Sequence, residues 1–161
     1  MELFHKYILE YKKLLQKGNL QKAYKGLMDF LKGFKLHLKN SYDDYFVSSS
    51  LQEGSMDFSY FFFFPNTLKK KKLKVAVLFT HETFSFEAWL AGYNKKVQQL
   101  YIEKLSQKKN KKYKVSSPND QYSIIEHTLI AETDFSDMKK LTINLEKKLI
   151  QFIKDIEKIV E

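Results

Sequence analysis

The side chains best suited to chemistry lie in the middle of the chain. Asp57 comes near the start of one predicted strand, and the pair His81-Glu82 forms the turn between two later ones. The register that matches the apolar faces of these strands gathers Asp57, His81 and Glu82 at one sheet end, with Thr80 and Ser85. A histidine among carboxylates can bind a metal ion or transfer protons. Ordinary polar residues of a turn would give the same pattern. We favour the ordinary turn over a metal or proton-transfer site, because no second histidine is near in the sequence.

A second group of candidates follows along the chain: Glu87, Trp89, Asn94 and Lys95. They span the third central strand and the start of the next helix, where free N–H groups can receive an anion. We therefore predict them as binding residues, together with Asp57, His81 and Glu82. Trp89 could stack on a ligand or pack in the interior, and we favour packing. The same register places Tyr60 on the opposite face, in the core.

Asp57 and Glu87 are rejected as a catalytic pair. The predicted register sets Asp57 opposite Thr80, and Glu87 opposite Ala76, which itself lies opposite Phe61. The two acids then share a face but lie about 17 Å apart, whereas acid/base pairs need roughly 5–9 Å. The sequence has no glycine-rich phosphate loop, nucleophile elbow or histidine pair at metal spacing. We assign no catalytic residue, no metal and no cofactor.

Three neighbouring strands position these candidates. They are predicted at 55–64, 73–80 and 84–91. Short connections make them an antiparallel meander. One face is predicted to be apolar on all three, and the other to be mixed while still carrying Phe61, Phe63, Leu78 and Trp89. Since both faces hold apolar side chains, helices should cover each side.

The rest of the chain supplies the cover. Helices are predicted at 2–17, 20–39, 95–106 and from about 136 almost to the end, a weak edge strand at 46–51, a loop at 106–121 and a strand at 122–131. Gly26 and Gly33 share a face of the second helix, which we explain by close approach to another backbone. The prediction is one α/β (α+β) domain, residues 1–161, with a mainly antiparallel sheet of four or five strands.

The charge of the chain is formally +9, and all 28 of its basic residues are lysine. Such a charge favours nucleic acid or another anion as partner. Arginine, however, is the usual side chain for holding phosphate through two parallel hydrogen bonds, and lysine offers only a point charge. We therefore favour a coding bias over a selected polyanion-binding surface.

Composition also excludes some classes of site. The chain has no cysteine, which excludes disulfides, thiolate catalysis and cysteine-bound metals. We predict no signal peptide, because no basic segment leads into an apolar run at the start. The longest apolar run, 60–64, is too short to cross a membrane. We expect a cytoplasmic protein with no membrane partner.

Three segments stand out together. They are 21–26 (Gln-Lys-Ala-Tyr-Lys-Gly), 56–60 (Met-Asp-Phe-Ser-Tyr) and the run 73–98, which contains His81-Glu82 and Phe86-Glu87-Ala88-Trp89-Leu90-Ala91-Gly92. Together they resemble a bacterial family of small cytosolic proteins known only as a domain of unknown function. The resemblance spans most of the chain and implies one intact domain, and it brings no activity, cofactor or catalytic residue.

The order of elements is also loosely similar to the restriction-endonuclease-like core. That fold uses an Asp near one strand start and a Glu-x-Lys on the next strand to hold Mg²⁺. Here Asp57 is present, but the strand 73–80 has no acid, and Glu87-Ala88-Trp89 has tryptophan in the place of lysine. Because fold does not imply function, the likeness is weak support for nuclease chemistry.

The predicted function is therefore a non-enzymatic binding or interaction module for a protein partner or an anionic ligand. A metal-dependent nuclease-like enzyme, with Asp57, Glu82 and Glu87 as its acids, is the first alternative. Lysine-driven binding of nucleic acid is the second.

Overall fold

The computed structural model describes residues 1–109, 112–120 and 122–161. The helices there are α1 (Glu2–Gln16), α2 (Asn19–Ser41), α3 (Asn66–Lys70), α4 (Lys95–Ser106) and α5 (Met138–Ile159). The strands are β1 (Tyr45–Val47), β2 (Phe58–Pro65), β3 (Leu73–Thr80), β4 (Ser85–Gly92) and β5 (Ile125–Ile130). Positions 110, 111 and 121 of the predicted loop lie outside the described residues. None of the described helices combines the length and apolarity needed to cross a membrane.

The strands form one five-stranded sheet in the order β1-β2-β3-β4-β5, with every neighbouring pair antiparallel. This confirms the predicted α+β class with an antiparallel sheet and a central meander. Helix α4 starts at Lys95 as predicted, and Asn94 is its N-cap, since the Asn94 side chain accepts a hydrogen bond from the N–H of Val97. Asp137 is the N-cap of α5 and accepts a hydrogen bond from the N–H of Lys140.

One face of the sheet, here called the core face, is buried along the three central strands β2, β3 and β4. It carries Phe61 of β2, Val77 of β3 and Ala88 of β4, each 0% exposed. Helix α5 contacts β4 and β5 and buries an apolar stripe along its length. The stripe is Leu141, Leu145, Leu149, Phe152, Ile153 and Ile156. Apart from the adjacent pair Phe152 and Ile153, its members are spaced by three or four residues, as on one face of a helix.

Polar groups hold α5 at two points. Near its middle, Tyr42 donates its hydroxyl proton to Glu146 at 2.8 Å. Near its end, Asp155 accepts hydrogen bonds from Tyr113 at 2.7 Å and from Lys112. Burial acts to raise the pKa of Asp155, but the hydrogen bonds from Lys112 and Tyr113 outweigh it and lower that pKa. The ionised carboxylate is therefore stabilised in the folded protein.

The register of β2 against β3 differs from the prediction by one residue. Thr80 lies opposite Phe58 and not Asp57, and Ala76 lies opposite Phe62 and not Phe61. A slip of one residue exchanges the two faces of a strand. Phe61 therefore lies on the core face, with Phe63, and the placement of both on the mixed face was wrong.

A second register also differs, between β3 and β4, where Glu87 lies opposite Leu78 and not Ala76. Part of the cause of the first difference is the connection after β2. That connection contains the short helix α3, and Lys72 at its end takes a left-handed backbone conformation with φ of 56°.

The chain divides into two compact units, Met1–Leu36 and His37–Glu161, and the second holds the sheet. In the first, no residue of α1 is buried, and apolar side chains such as Phe4 and Ile8 are exposed. The close backbone approach predicted for Gly26 and Gly33 is not observed, since an added Cβ at either glycine would meet nothing within 4 Å among the residues that the structure describes.

Candidate functional site

The second face of the sheet, here called the open face, is only partly covered. Its central rows are Tyr60–Leu78–Glu87 and Phe62–Ala76–Trp89 across β2, β3 and β4. Tyr60, Phe62 and Trp89 are half-buried, and Phe58 is 40% exposed. Tyr60 was predicted to lie in the core, and that was wrong because the register of β2 places it here.

A pocket of about 760 Å³ lies over this face. Most of its large lining side chains are aromatic: Phe58, Tyr60, Phe62, Trp89, Tyr93 and Tyr122. Phe58 meets Trp89 edge to face, with ring centroids 5.5 Å apart, and Tyr60 meets Phe62 in the same way at 5.7 Å. Such edge-to-face contacts fix the orientations of the rings that line the pocket.

Trp89 is held in place by Glu87. The indole Nε1 donates a hydrogen bond to Glu87 Oε2 at 2.7 Å. Two residues apart on one strand, the two side chains stand on the same face. Glu87 therefore orients the tryptophan, and its carboxylate is engaged in that role. Trp89 is neither fully packed nor free, and it forms part of the pocket wall.

Lys74 supplies positive charge at one end of the pocket. Its Nζ lies 4.5 Å from the centroid of the Phe62 ring, and burial lowers its pKa. Among the described residues no carboxylate pairs with Lys74. Asn94 and Lys95, two of the residues predicted to bind a ligand, line the same end, and the Asn94 side chain accepts a hydrogen bond from the N–H of Val97 at 2.9 Å.

Asp57 lines the opposite end of the pocket. The backbone N–H groups of Ser55 and Phe58 donate to its carboxylate and lower its pKa, the Ser55 bond being 2.9 Å long. The backbone oxygen of Asp57 accepts from the N–H of His81 at 3.0 Å. The structure thus brings Asp57 and His81 together, as predicted, but it leaves Glu82 exposed in the turn.

His81 contacts a buried serine. Its Nε2 lies 2.8 Å from Ser59 Oγ, and Ser59 donates its only hydroxyl proton to the carbonyl of Glu53 at 2.6 Å. His81 Nε2 must therefore donate to Ser59, which is the reverse of what a general base does to a nucleophilic serine. Burial lowers the pKa of His81, and Asp57 offsets part of that shift.

Thr80 and Ser85, the hydroxyl side chains predicted at this sheet end, form a closed triangle with Thr83. Thr80 Oγ1 lies 2.5 Å from Thr83 Oγ1 and 2.7 Å from Ser85 Oγ, and Thr83 Oγ1 lies 2.6 Å from Ser85 Oγ. Thr80 and Ser85 are buried, so the triangle satisfies polar groups at the turn. Within the described residues, no group of three or more His, Cys, Asp or Glu could hold a metal ion.

The rejection of Asp57 and Glu87 as a pair stands in the observed register. Asp57 lies level with His81, and Glu87 lies opposite Leu78. Three residues and two strands separate the acids, which is about 14 Å. That remains well beyond the reach of an acid/base pair.

Family comparison agrees with the resemblance in the sequence. The family described as "Domain of unknown function (DUF7000)" matches residues 4–160. The chain belongs to this family. No curated protein matches the DUF7000 chain, and no solved structure matches it. The likeness to the restriction-endonuclease-like core stays a prediction.

Sequence reasoning missed several lining residues of this DUF7000 domain: Phe58, Phe62, Lys74, Tyr93 and Tyr122. One signal for the open face was present. Lys74 alternates with apolar residues in Leu-Lys-Val-Ala-Val, and a charged side chain does not point toward an apolar core without a partner. Nothing in the sequence marks Tyr122, which reaches the pocket from the segment before β5.

Proposed function

We propose that this chain is a binding module and that the pocket on the open face is its ligand site. The observation that carries the proposal is an aromatic-lined pocket of about 760 Å³ with a half-buried Lys74 at its edge that has no carboxylate partner among the described residues. Concave, mostly apolar surfaces with a few polar groups are the usual form of small-ligand sites.

The lining defines the chemistry of the ligand. Ring faces of Tyr60, Phe62 and Trp89 favour a flat apolar group, and Lys74 with Lys95 favours a negative charge near it. The geometry supports binding better than catalysis, since the proton of Ser59 is committed to a carbonyl and Asp57 is far from Glu87. No observation favours the nuclease alternative.

The only tryptophan of the chain lies in the pocket, which gives a site-specific assay. Anilinonaphthalene sulfonate (ANS) is a flat aromatic anion whose fluorescence rises in apolar sites. Selective excitation of Trp89 should produce energy transfer to ANS bound beside it. We expect Lys74→Gln and Phe62→Ala each to raise the Kd for ANS by roughly two- to tenfold.

Two controls separate the pocket from other surfaces. Lys147→Gln removes the same charge from an exposed position on α5, and Ile8→Ser reduces the exposed apolar surface of α1. Neither should change the Kd. The proposal is wrong if ANS binds without transfer from Trp89, or if the pocket variants behave like Lys147→Gln.

A further inference from the structure

We propose that the open face binds single-stranded nucleic acid, with bases stacked on its exposed rings and phosphates beside its lysines. This inference rests on the proposed binding function and deepens it by naming the ligand.

The aromatic surface extends beyond the pocket onto the edge strand. Phe46 of β1 lies directly opposite Phe64 of β2, so it shares the face of Phe62. Its ring centroid lies 4.9 Å from that of Phe64, which is buried, and Phe46 itself is 41% exposed. Partly exposed rings thus lie along β2 from Phe58 to Phe62, and Phe46 adds one more on β1, beyond the buried Phe64. The distance along β2 alone is about 14 Å, which is longer than a single base.

Lysines accompany the rings on this half of the face. Lys74 lies over Phe62 at 4.5 Å, and Lys69 lies over Phe46 at 5.8 Å. Neither lysine has a carboxylate partner within the part of the chain that the structure describes. A cation over a solvent-accessible ring is held only weakly, so each ammonium can leave its ring for the phosphate of a stacked nucleotide.

The acidic side chains of the same face indicate the path of the ligand. Glu87 of β4 and Glu126 of β5 flank Trp89 on the far half of the face. Phosphates would be repelled there. We therefore place the nucleic acid over β1, β2 and β3, where Lys69 and Lys74 lie.

The rings select unpaired bases. Stacking on a side chain requires a base that is free of its own helix, whereas duplexes are recognised through their grooves and backbone. The absence of arginine does not oppose this ligand, because stacking and point charges suffice for sequence-tolerant binding of single strands.

The test uses the full chain and a fluorescein-labelled oligothymidylate of about 12 nucleotides, within the site sizes of single domains. Binding is followed by anisotropy and by quenching of Trp89 across a salt series. We expect Phe62→Ala to weaken binding roughly tenfold with an unchanged salt slope. We expect Lys74→Gln and Lys69→Gln each to reduce the slope of log K against log salt by about 0.7, and Lys147→Gln to leave it unchanged.

Several results would overturn the inference. An abasic oligomer or a duplex that binds as tightly as oligothymidylate would show that charge alone is responsible. Thymidine monophosphate competing at equal molar concentration would make the ligand a mononucleotide. If ANS transfer persists but no oligomer binds, the nucleic-acid inference is wrong and the binding function stands; if both fail, both are wrong. Thermal melting of Phe62→Ala checks its fold, and Lys74→Gln provides the test on a partly exposed side chain.

Discussion

Phe61 and Phe62 are adjacent phenylalanines on opposite faces of β2, and replacing each by alanine tests the register on which the site depends. Phe61 is 0% exposed on the core face, so Phe61→Ala should cost about 3–5 kcal/mol of unfolding free energy. Phe62 is half-buried and contacts Tyr60 and Lys74. Losing these contacts should cost about 1–2 kcal/mol.

Urea unfolding followed by circular dichroism gives the comparison. With a denaturant slope of about 2 kcal/mol per molar urea, the midpoint should fall by roughly 1.5–2.5 M for Phe61→Ala and by roughly 0.5–1 M for Phe62→Ala. Because native stability is often only 5–15 kcal/mol, Phe61→Leu serves as a milder variant should Phe61→Ala not fold.

The order of the two losses is the decisive result. If Phe62→Ala costs as much as Phe61→Ala, or more, then β2 is displaced by one residue against β3. In that case Phe62 lies in the core, the pocket loses its aromatic floor, and the proposals built on it are wrong.

Three further changes test other parts of the structure. Asp155→Asn should cost about 1.5–3 kcal/mol at neutral pH. Since the pKa of Asp155 is lowered on folding, its contribution is present above the unfolded pKa of about 3.9 and lost as the pH falls through the folded pKa; urea midpoints at a series of pH values should show a larger loss in the native protein than in the variant, which keeps Asp57 and the other acids. Gly26→Ala should raise stability by about 0.5–1 kcal/mol, measured by thermal melting, because the added Cβ meets nothing within 4 Å; a lower melting temperature would contradict the observed spacing. Glu87→Ala should release the indole of Trp89 and shift its emission to longer wavelength; unchanged emission would show that Glu87 does not hold the ring.

The helices and strands could be predicted because their patterns have one clear period. In α5, Leu141, Leu145 and Leu149 recur at helical spacing, and all are buried. In β3, Leu73, Val75 and Val77 alternate with the residues of the other face. The pattern of α5 has a single apolar side, so burial selects one orientation of the helix. The period of two in β3 identifies the strand but not its buried face, since Ala76 and Leu78 on the other side are buried too.

The faces of β2 could not be predicted in this way. Its sequence places Phe61 and Phe63 on one side and Tyr60 and Phe62 on the other, so both sides are apolar and the alternation carries no information about burial. The register depends on the connection to β3, which contains the short helix α3. No helix was predicted in that connection. The site was therefore located by the observed strand pairing and not by the sequence pattern. Of the residues that line the pocket, only Asp57, Trp89, Asn94 and Lys95 were predicted as binding residues.

The position of Lys74 bears on how the charge of the chain should be interpreted. A net charge of +9 from lysine alone can arise from coding bias, and lysines on exposed helix faces add little evidence against that. Lys74 differs because it sits half-buried in a central strand, where burial lowers its pKa and disfavours the charged form. Lysines added by a coding bias would be tolerated best at the surface. At Lys74 no carboxylate among the described residues offsets the cost of burying the charge. A negative charge on a bound ligand would offset the cost of burying the Lys74 ammonium. We therefore expect the removal of Lys74 to weaken binding more than the removal of an exposed lysine.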